Sequence, residues 1–169
     1  MPDALELLKT RRSFKAVELS GPGPSAAEID TLLTVASRVP DHGKLAPWRF
    51  IVFEGEARLA AGQAIETAFR AKYPEAKPDQ LDYERKRLAR APLVIAVVSR
   101  AGPHLKIPEW EQVLSAGAAA MSLVLAAHAL GLKDNEKVAG FIHIGTPAHA
   151  PEDRPRPALA EIATRFGRT

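Results

Sequence analysis

Apolar residues recur at helical spacing through the first half of the chain. They predict a short helix after Asp3, whose side chain can cap it, and a second helix after the capping box at 25–28. The second helix is predicted to end near Arg38, because the proline that follows removes a backbone donor and disfavours helix just before it. The same spacing predicts a third helix over 57–73 and a fourth over 79–90.

Continuous apolar runs predict the strands. Residues 50–53 and 93–98 are rich in β-branched and aromatic side chains and predict two buried strands, and 137–145 predicts a third. Between the last two strands, residues 115–130 are alanine-rich and apolar on nearly every face, which predicts a helix buried on all sides. Its small residues let another helix approach closely, so we expect a central helix or a dimer seam.

The loop between the second helix and the first of these strands carries an unusual set of side chains. Two permanent cations, an imidazole, a carboxylate and a large flat ring come from Arg38, Lys44, His42, Asp41 and Trp48. This set suits an anionic, aromatic ligand, and loops held by a rigid scaffold often carry function. The alternative is a solvated turn in which Asp41 caps backbone amides and Trp48 fills the core.

A second cationic group follows the first predicted helix. Arg11 and Arg12 are adjacent and are followed by the hydroxyl of Ser13. Guanidinium groups bond phosphate oxygens in a bidentate way, so this group is a candidate phosphate site. The alternative is a solvated basic turn.

The predicted fourth helix has a basic face at 84–90. We interpret this face as a solvated surface near a crevice, with nucleic-acid contact as the alternative, since only Tyr83 could stack on bases there. The net charge of +3 is compatible with an anionic ligand and is too small to indicate nucleic acid by itself. We therefore expect no nucleic-acid partner.

Composition limits the remaining possibilities. A chain of 169 residues can bury one core, which predicts a single domain over 1–169. There is no cysteine, which excludes disulfides, thiolate nucleophiles and cysteine-ligated metals, and no metal site is predicted. The N-terminus shows no secretory pattern, and the longest apolar stretch, 116–132, is shorter than a bilayer span of about 20 residues. We expect a cytoplasmic protein without membrane contact.

Four motifs in register resemble the nitroreductase family, and most closely its short YdjA-like type. They are Leu7-Leu8-Lys9-Thr10-Arg11-Arg12-Ser13, the loop from Arg38-Val39-Pro40-Asp41-His42 to Pro47-Trp48-Arg49-Phe50, Pro108-Glu109-Trp110-Glu111-Gln112 with Ser115-Ala116-Gly117, and Val138-Ala139-Gly140-Phe141-Ile142-His143-Ile144-Gly145-Thr146-Pro147. The motifs cover nearly the whole chain in the order of the family.

The resemblance implies an α+β fold, with a mixed sheet flanked by helices around a long central helix, in an intertwined homodimer. It also implies FMN at the dimer interface, which carries electrons from NADH or NADPH to nitroaromatic, quinone or related acceptors by a ping-pong mechanism. No side chain then needs to act as a nucleophile, because the cofactor supplies the difficult chemistry.

Site residues follow from the resemblance by position. Arg11, Arg12 and Ser13 are expected to hold the flavin phosphate and ribityl chain, and Arg38 and His42 to reach the flavin from the partner subunit. The end of the long helix is expected near the nicotinamide, with the residues Ala126, Ala127, His128, Ala129, Leu130 and Gly131.

Two other functions remain open. An enzyme of the same fold could fragment its own flavin with oxygen, and a basic module could bind nucleic acid through the 84–90 helix. The purified protein would be colourless in the second case and would bind in a salt-dependent way.

The chain also departs from the family at one point. The resemblance implies a glycine-rich turn, a Trp-containing loop and a short helix between the long helix and the last strand. Here Leu130-Gly131-Leu132 runs directly into Lys133-Asp134-Asn135-Glu136-Lys137. The tail 148–169 is rich in proline and cannot pack alone, so we expect it to reach the partner subunit.

Overall fold

The computed structural model describes residues 3–130, 133–137 and 141–147. Within these ranges the fold is α+β, as expected. The helices are α1 Ala4–Thr10, α2 Ala26–Ala36, α3 Ala57–Lys72, α4 Pro78–Arg85 and α5 Glu109–Ala129. The strands are β1 Leu19–Ser20, β2 Trp48–Glu54, β3 Leu93–Ser99, β4 Lys133–Lys137 and β5 Phe141–Pro147.

Local capping fixes the first helices where the sequence predicts them. The Asp3 carboxylate accepts a hydrogen bond from the Leu5 amide at 3.1 Å and caps α1. At α2 the Ser25 side chain accepts from the Glu28 amide, and the Glu28 carboxylate accepts in return from the Ser25 amide at 2.7 Å. These two hydrogen bonds satisfy two backbone amides at the start of α2 that have no partner within the helix, so α2 begins there.

The predicted fourth helix is interrupted. It ends at Arg85, and a separate turn of 3-10 helix covers Arg87–Arg90. A Cβ on Gly62 of α3 would lie 2.0 Å from the carbonyl oxygen of Arg85, so α3 packs directly against this helix end. The break thus lies at a tertiary contact, which helical spacing along α4 cannot reveal.

The basic side chains of this region have acidic or aromatic neighbours. Lys86 and Arg85 both donate to Asp82 and hold the pKa of its carboxyl below the ordinary value, and Arg87 pairs with Glu84 at 2.7 Å. The Arg90 guanidinium lies 3.9 Å from the ring centroid of Tyr83. The basic face is thus largely neutralised on the protein itself.

The sheet has the order β1-β5-β3-β2, with β4 also paired to β5. β3 lies inside the sheet, as its continuous apolar sequence predicts, and its residues Leu93 to Val97 are buried. The four pairings of the described strands are all antiparallel, so the parallel component of the expected mixed sheet is not found among them.

The predicted third strand has different boundaries in the structure. Lys137 belongs to β4, and the central strand β5 runs over Phe141–Pro147; residues 138–140 lie outside the described ranges. β4 is polar in sequence, and a strand needs only backbone pairing to a neighbour, which β5 provides. Neither apolar alternation nor an apolar run marks such a strand.

α5 packs on the sheet and against α2 along one face. The main core combines α2, β3, α5 and β5, and its fully buried side chains include Leu32, Ile95, Leu123 and Ile144. By length and composition alone, α5 is long and apolar enough to cross a membrane. Inside the protein, 44% of its most apolar 18-residue segment is buried. Its buried face is part of the core of the domain.

Two features of α5 differ from the expectation. The helix begins at Glu109 rather than near residue 115, and it is not buried on all sides of the single chain. An apolar stripe at helical spacing stays exposed, with Trp110 at 62% and Leu114 at 63% of full accessibility. We call the residues Trp110, Val113, Leu114, Gly117 and Met121 the α5 stripe.

The single domain over 1–169 and the crossing of the tail 148–169 to a partner subunit remain predictions. The whole tail lies outside the described residues, as do Gly131 and Leu132 at the junction after α5.

Candidate functional site

The loop from Arg38 to Trp48 has an uncommon backbone. Gly43, Lys44 and Ala46 adopt positive φ angles of 72°, 57° and 45°. Left-handed backbone is disfavoured for residues with a Cβ, so this loop is held in its shape by other contacts. A Cβ on Gly43 would lie 2.3 Å from Cδ1 of Ile107, which leaves room for glycine alone unless that side chain moves.

Asp41 and Trp48 have the structural roles that were the alternative to ligand binding: Asp41 caps backbone amides, and Trp48 fills the core. The Asp41 carboxylate accepts from the amides of Leu45 at 3.1 Å and Ala46 at 2.9 Å, and so holds the left-handed segment. Trp48 is buried in a small cluster with Ala116 and Ala119 of α5. Their side chains therefore serve the loop and the core, and the loop's polar groups that remain exposed are Arg38, His42 and Lys44.

Two side chains of α5 hold the beginning of this loop. Nδ1 of His42 lies 2.8 Å from Oε2 of Glu111, and the Ser115 hydroxyl donates to the carbonyl of Pro40 at 2.9 Å. Glu111 and Ser115 are four residues apart and so occupy one face of the helix. The sequence shows both residues in a family motif, and nothing in their spacing reveals that they contact His42 and Pro40.

The predicted phosphate group lies at the end of α1. Arg11 ends that helix by donating its amide to the Leu7 carbonyl, and its Nη1 donates to the Ser13 hydroxyl at 3.2 Å. Arg11 and Arg12 are half-buried, and Phe14 next to them is buried against Leu19. The buried phenyl ring anchors the chain, so these donors are presented on a fixed segment.

The structure joins the two cationic groups through one element. α1 contacts α5, and the loop is bonded to α5 by Glu111 and Ser115. Arg11 to Ser13 and the His42 loop thus have a common support.

The residues expected near the nicotinamide occupy the last turn of α5. Ala126, Ala127 and His128 are buried, and the first two belong to the main core. Ala129 and Leu130 are half-buried at the end of the helix, and Gly131 lies outside the described residues. In the single chain the accessible part of this segment is therefore its C-terminal end.

Over residues 3–130, 133–137 and 141–147, no three His, Asp or Glu side chains come together in a group that could hold a metal ion. The functional chemistry of the candidate site is that of cations, hydroxyls and one imidazole.

Comparisons with known proteins identify relatives over most of the chain. The family model described as "Nitroreductase family" matches residues 8–133. A protein of Escherichia coli K12 with the name "Putative NAD(P)H nitroreductase YdjA" is 35% identical, over 86% of this chain and 88% of its own length. The matched segment of the family model includes both the Arg11 group and the His42 loop.

Solved structures share the fold. A nitroreductase-like family protein from Bacillus cereus superposes with a TM-score of 0.79 at 21% identity, over 99% of this chain and 97% of its own. A nitroreductase with bound FMN from Bacteroides fragilis superposes with a TM-score of 0.68 at 18% identity, over 98% and 100%.

Proposed function

Since the chain belongs to the nitroreductase family, we propose that it is an FMN-dependent oxidoreductase that uses NADH or NADPH to reduce nitroaromatic, quinone or related acceptors. The observation that carries this proposal is the family match over 8–133, which includes Arg11, Arg12, Ser13, Arg38 and His42. The E. coli relative's name and the FMN bound to the B. fragilis protein support the donor and the cofactor.

The residues present fit FMN. A phosphate monoester requires several strong donors on a fixed segment, and the half-buried Arg11 and Arg12, with the Ser13 hydroxyl bonded to Arg11, offer that set. The loop adds the exposed Arg38 and the imidazole of His42 on a rigid backbone held by Asp41. An anionic, aromatic ligand is the class that both groups together suit.

The protein's part in the reaction is to bind and orient. FMN, when bound, supplies the transfer of electrons from nicotinamide to acceptor in two separate half-reactions, which gives ping-pong kinetics. Arg11 and Arg12 would neutralise the phosphate end and, with the Ser13 hydroxyl, would hold it, and Arg38 and His42 would reach it from the partner's loop. The accessible end of α5, at Ala129 and Leu130, would line the approach of the nicotinamide.

The proposed assembly is a homodimer, and the α5 stripe supports it. A row of exposed apolar side chains on the central helix is unusual for a stable monomer and typical of a subunit interface. Apart from its chain neighbours and the backbone of its own helix, Gly117 in the middle of the stripe has no heavy atom of the described residues within 4 Å of the place a Cβ would take. A second helix can therefore approach there closely.

The visible spectrum of the purified protein tests the cofactor directly. We expect yellow protein with bound FMN, bleached by NADH or NADPH without oxygen and restored by a quinone or nitroaromatic acceptor. Protein that stays yellow through many turnovers argues against self-fragmentation of the flavin. Colourless protein that takes up no added FMN would contradict the proposal.

Substitution of the phosphate group tests the site. We expect Arg11→Ala and Arg12→Ala each to weaken FMN binding roughly ten- to a hundred-fold, because a hydrogen bond to a charged group contributes about 1.5 to 3 kcal/mol. Lys9→Ala is the matched control, since Lys9 is a cation in the last turn of α1, just before Arg11, and pairs with Glu6. A double arginine variant that purifies with stoichiometric FMN would show that the phosphate lies elsewhere.

A further inference from the structure

Glu111 and Ser115 form a clamp between α5 and the loop that carries His42. We call these two residues the α5 clamp. Ser115 fixes the main chain through the Pro40 carbonyl, and Glu111 fixes the side chain through Nδ1 of His42, at 2.9 Å and 2.8 Å. The clamp joins segments far apart in sequence, since Glu111 lies 69 positions after His42.

The pair of His42 and Glu111 is poorly suited to stabilising the fold. The side chain of His42 is 66% exposed and that of Glu111 is 30% exposed. Ion pairs with so much solvent around them contribute little to the free energy of unfolding, because water screens them and two side chains lose rotamer freedom. What the pair does define is the position and the tautomer of the imidazole.

The tautomer follows from the chemistry of the partner. An ionised carboxylate only accepts hydrogen bonds, so the His42 nitrogen that faces Glu111 must carry the hydrogen. In the neutral ring Nδ1 is then the donor and Nε2 the acceptor. Within the described part of the chain, His42 makes no other side-chain hydrogen bond, which leaves Nε2 for a ligand.

We propose that Glu111 is a positioning residue for the flavin. It holds the His42 ring with the hydrogen on Nδ1 and presents Nε2 to FMN, while Ser115 holds the backbone from which His42 extends. The inference rests on the proposed function, because it assumes that His42 meets the flavin. Glu111 itself does not touch the cofactor and acts through His42.

Nitrogen NMR of the flavin-free protein tests the first half of this inference. With ¹⁵N-labelled histidine we expect the neutral His42 ring of the wild type to carry its hydrogen on Nδ1. In Glu111→Ala the hydrogen should move largely to Nε2. An unchanged tautomer in that variant would overturn the inference, whatever the cofactor does.

Flavin titration tests the second half. We expect Glu111→Ala to weaken FMN binding to flavin-free protein by up to about tenfold, the upper end for the one neutral hydrogen bond that a misplaced His42 ring no longer makes to FMN. Glu111→Gln keeps an oxygen that can accept from Nδ1, so it should restore most of the affinity. Glu109→Ala, which removes an exposed carboxylate from the same helical turn, is the matched control and should bind as the wild type does.

A double substitution shows whether Glu111 acts through His42. In a chain that already carries His42→Ala, the further change Glu111→Ala should weaken FMN binding no more, because its only route is gone. Independent, additive losses would overturn the inference, and so would wild-type affinity in Glu111→Ala. A wild-type chain that takes up no FMN would contradict the proposed function as well, which distinguishes the two failures.

Discussion

At the scale of single residues, the loop after α2 concentrates backbone conformations that most amino acids avoid. Lys44 and Ala46 both have positive φ, at a cost of about 1 to 2 kcal/mol each. Such conformations persist where neighbouring contacts determine them, and they cluster at functional sites. Here the contacts are the two amide bonds to Asp41 and the α5 clamp, which together keep the loop in one shape.

A pair of glycine substitutions measures this constraint. Gly43 and Gly55 both have positive φ, and only Gly43 has a close neighbour, the buried Ile107. We expect Gly55→Ala to lower the free energy of unfolding by about 1 kcal/mol, and Gly43→Ala by about 2 kcal/mol, because the second change also displaces packed atoms. Urea unfolding gives both values, and equal losses would show that Ile107 yields freely.

At the scale of elements, the sequence predicts those parts of the fold that depend on local signals. α1 and α2 begin at their capping residues, and β2 and β3 coincide with apolar runs. α3 ends at the residue before its predicted boundary. In each case the information lies within a few residues of the element itself.

The elements that differ depend on distant contacts. α4 stops where α3 packs against its last carbonyl, and polar β4 exists because β5 offers it a backbone edge. The start of α5 and its exposed stripe also differ from the sequence prediction. An apolar face that packs in a core and one that packs in a subunit interface have the same periodicity, so the sequence pattern does not distinguish them. The candidate site divides in the same way: its cations are visible in the sequence, and the bond from His42 to Glu111 is not.

For Gly62→Ala, the contact between α3 and α4 predicts a change in stability opposite in sign to the one that helix propensity predicts. In an exposed helix, glycine to alanine normally stabilises by about 1 kcal/mol. At Gly62 a Cβ would collide with the backbone of Arg85, so we expect Gly62→Ala to destabilise by about 1 to 3 kcal/mol. Ala64→Gly on the exposed side of α3 measures the propensity alone. A stabilised Gly62→Ala variant would show that α3 and α4 separate without cost.

At the scale of the whole molecule, the α5 stripe determines the prediction for assembly. We expect Leu114→Glu to place a charge in the proposed subunit interface and give monomers at micromolar concentration, with reduced flavin content because the proposed site takes residues from both subunits. Leu59→Glu is the matched control, since Leu59 is a partly exposed leucine on α3, away from the stripe. Sedimentation velocity should find this control dimeric, and a dimeric Leu114→Glu would place the interface elsewhere.

The position of β5 in the sheet has a consequence for biosynthesis. β5 pairs with β1 from the start of the chain and with β3 from its middle, so the sheet closes only after residue 147 has been translated. Until then β3 is paired on one side alone, with its other edge open to strands of neighbouring nascent chains. The ribosome adds about 5 to 20 residues per second, so each copy spends several seconds with this edge uncovered. We therefore expect messages truncated upstream of β5 to produce aggregating chains rather than partly active enzyme.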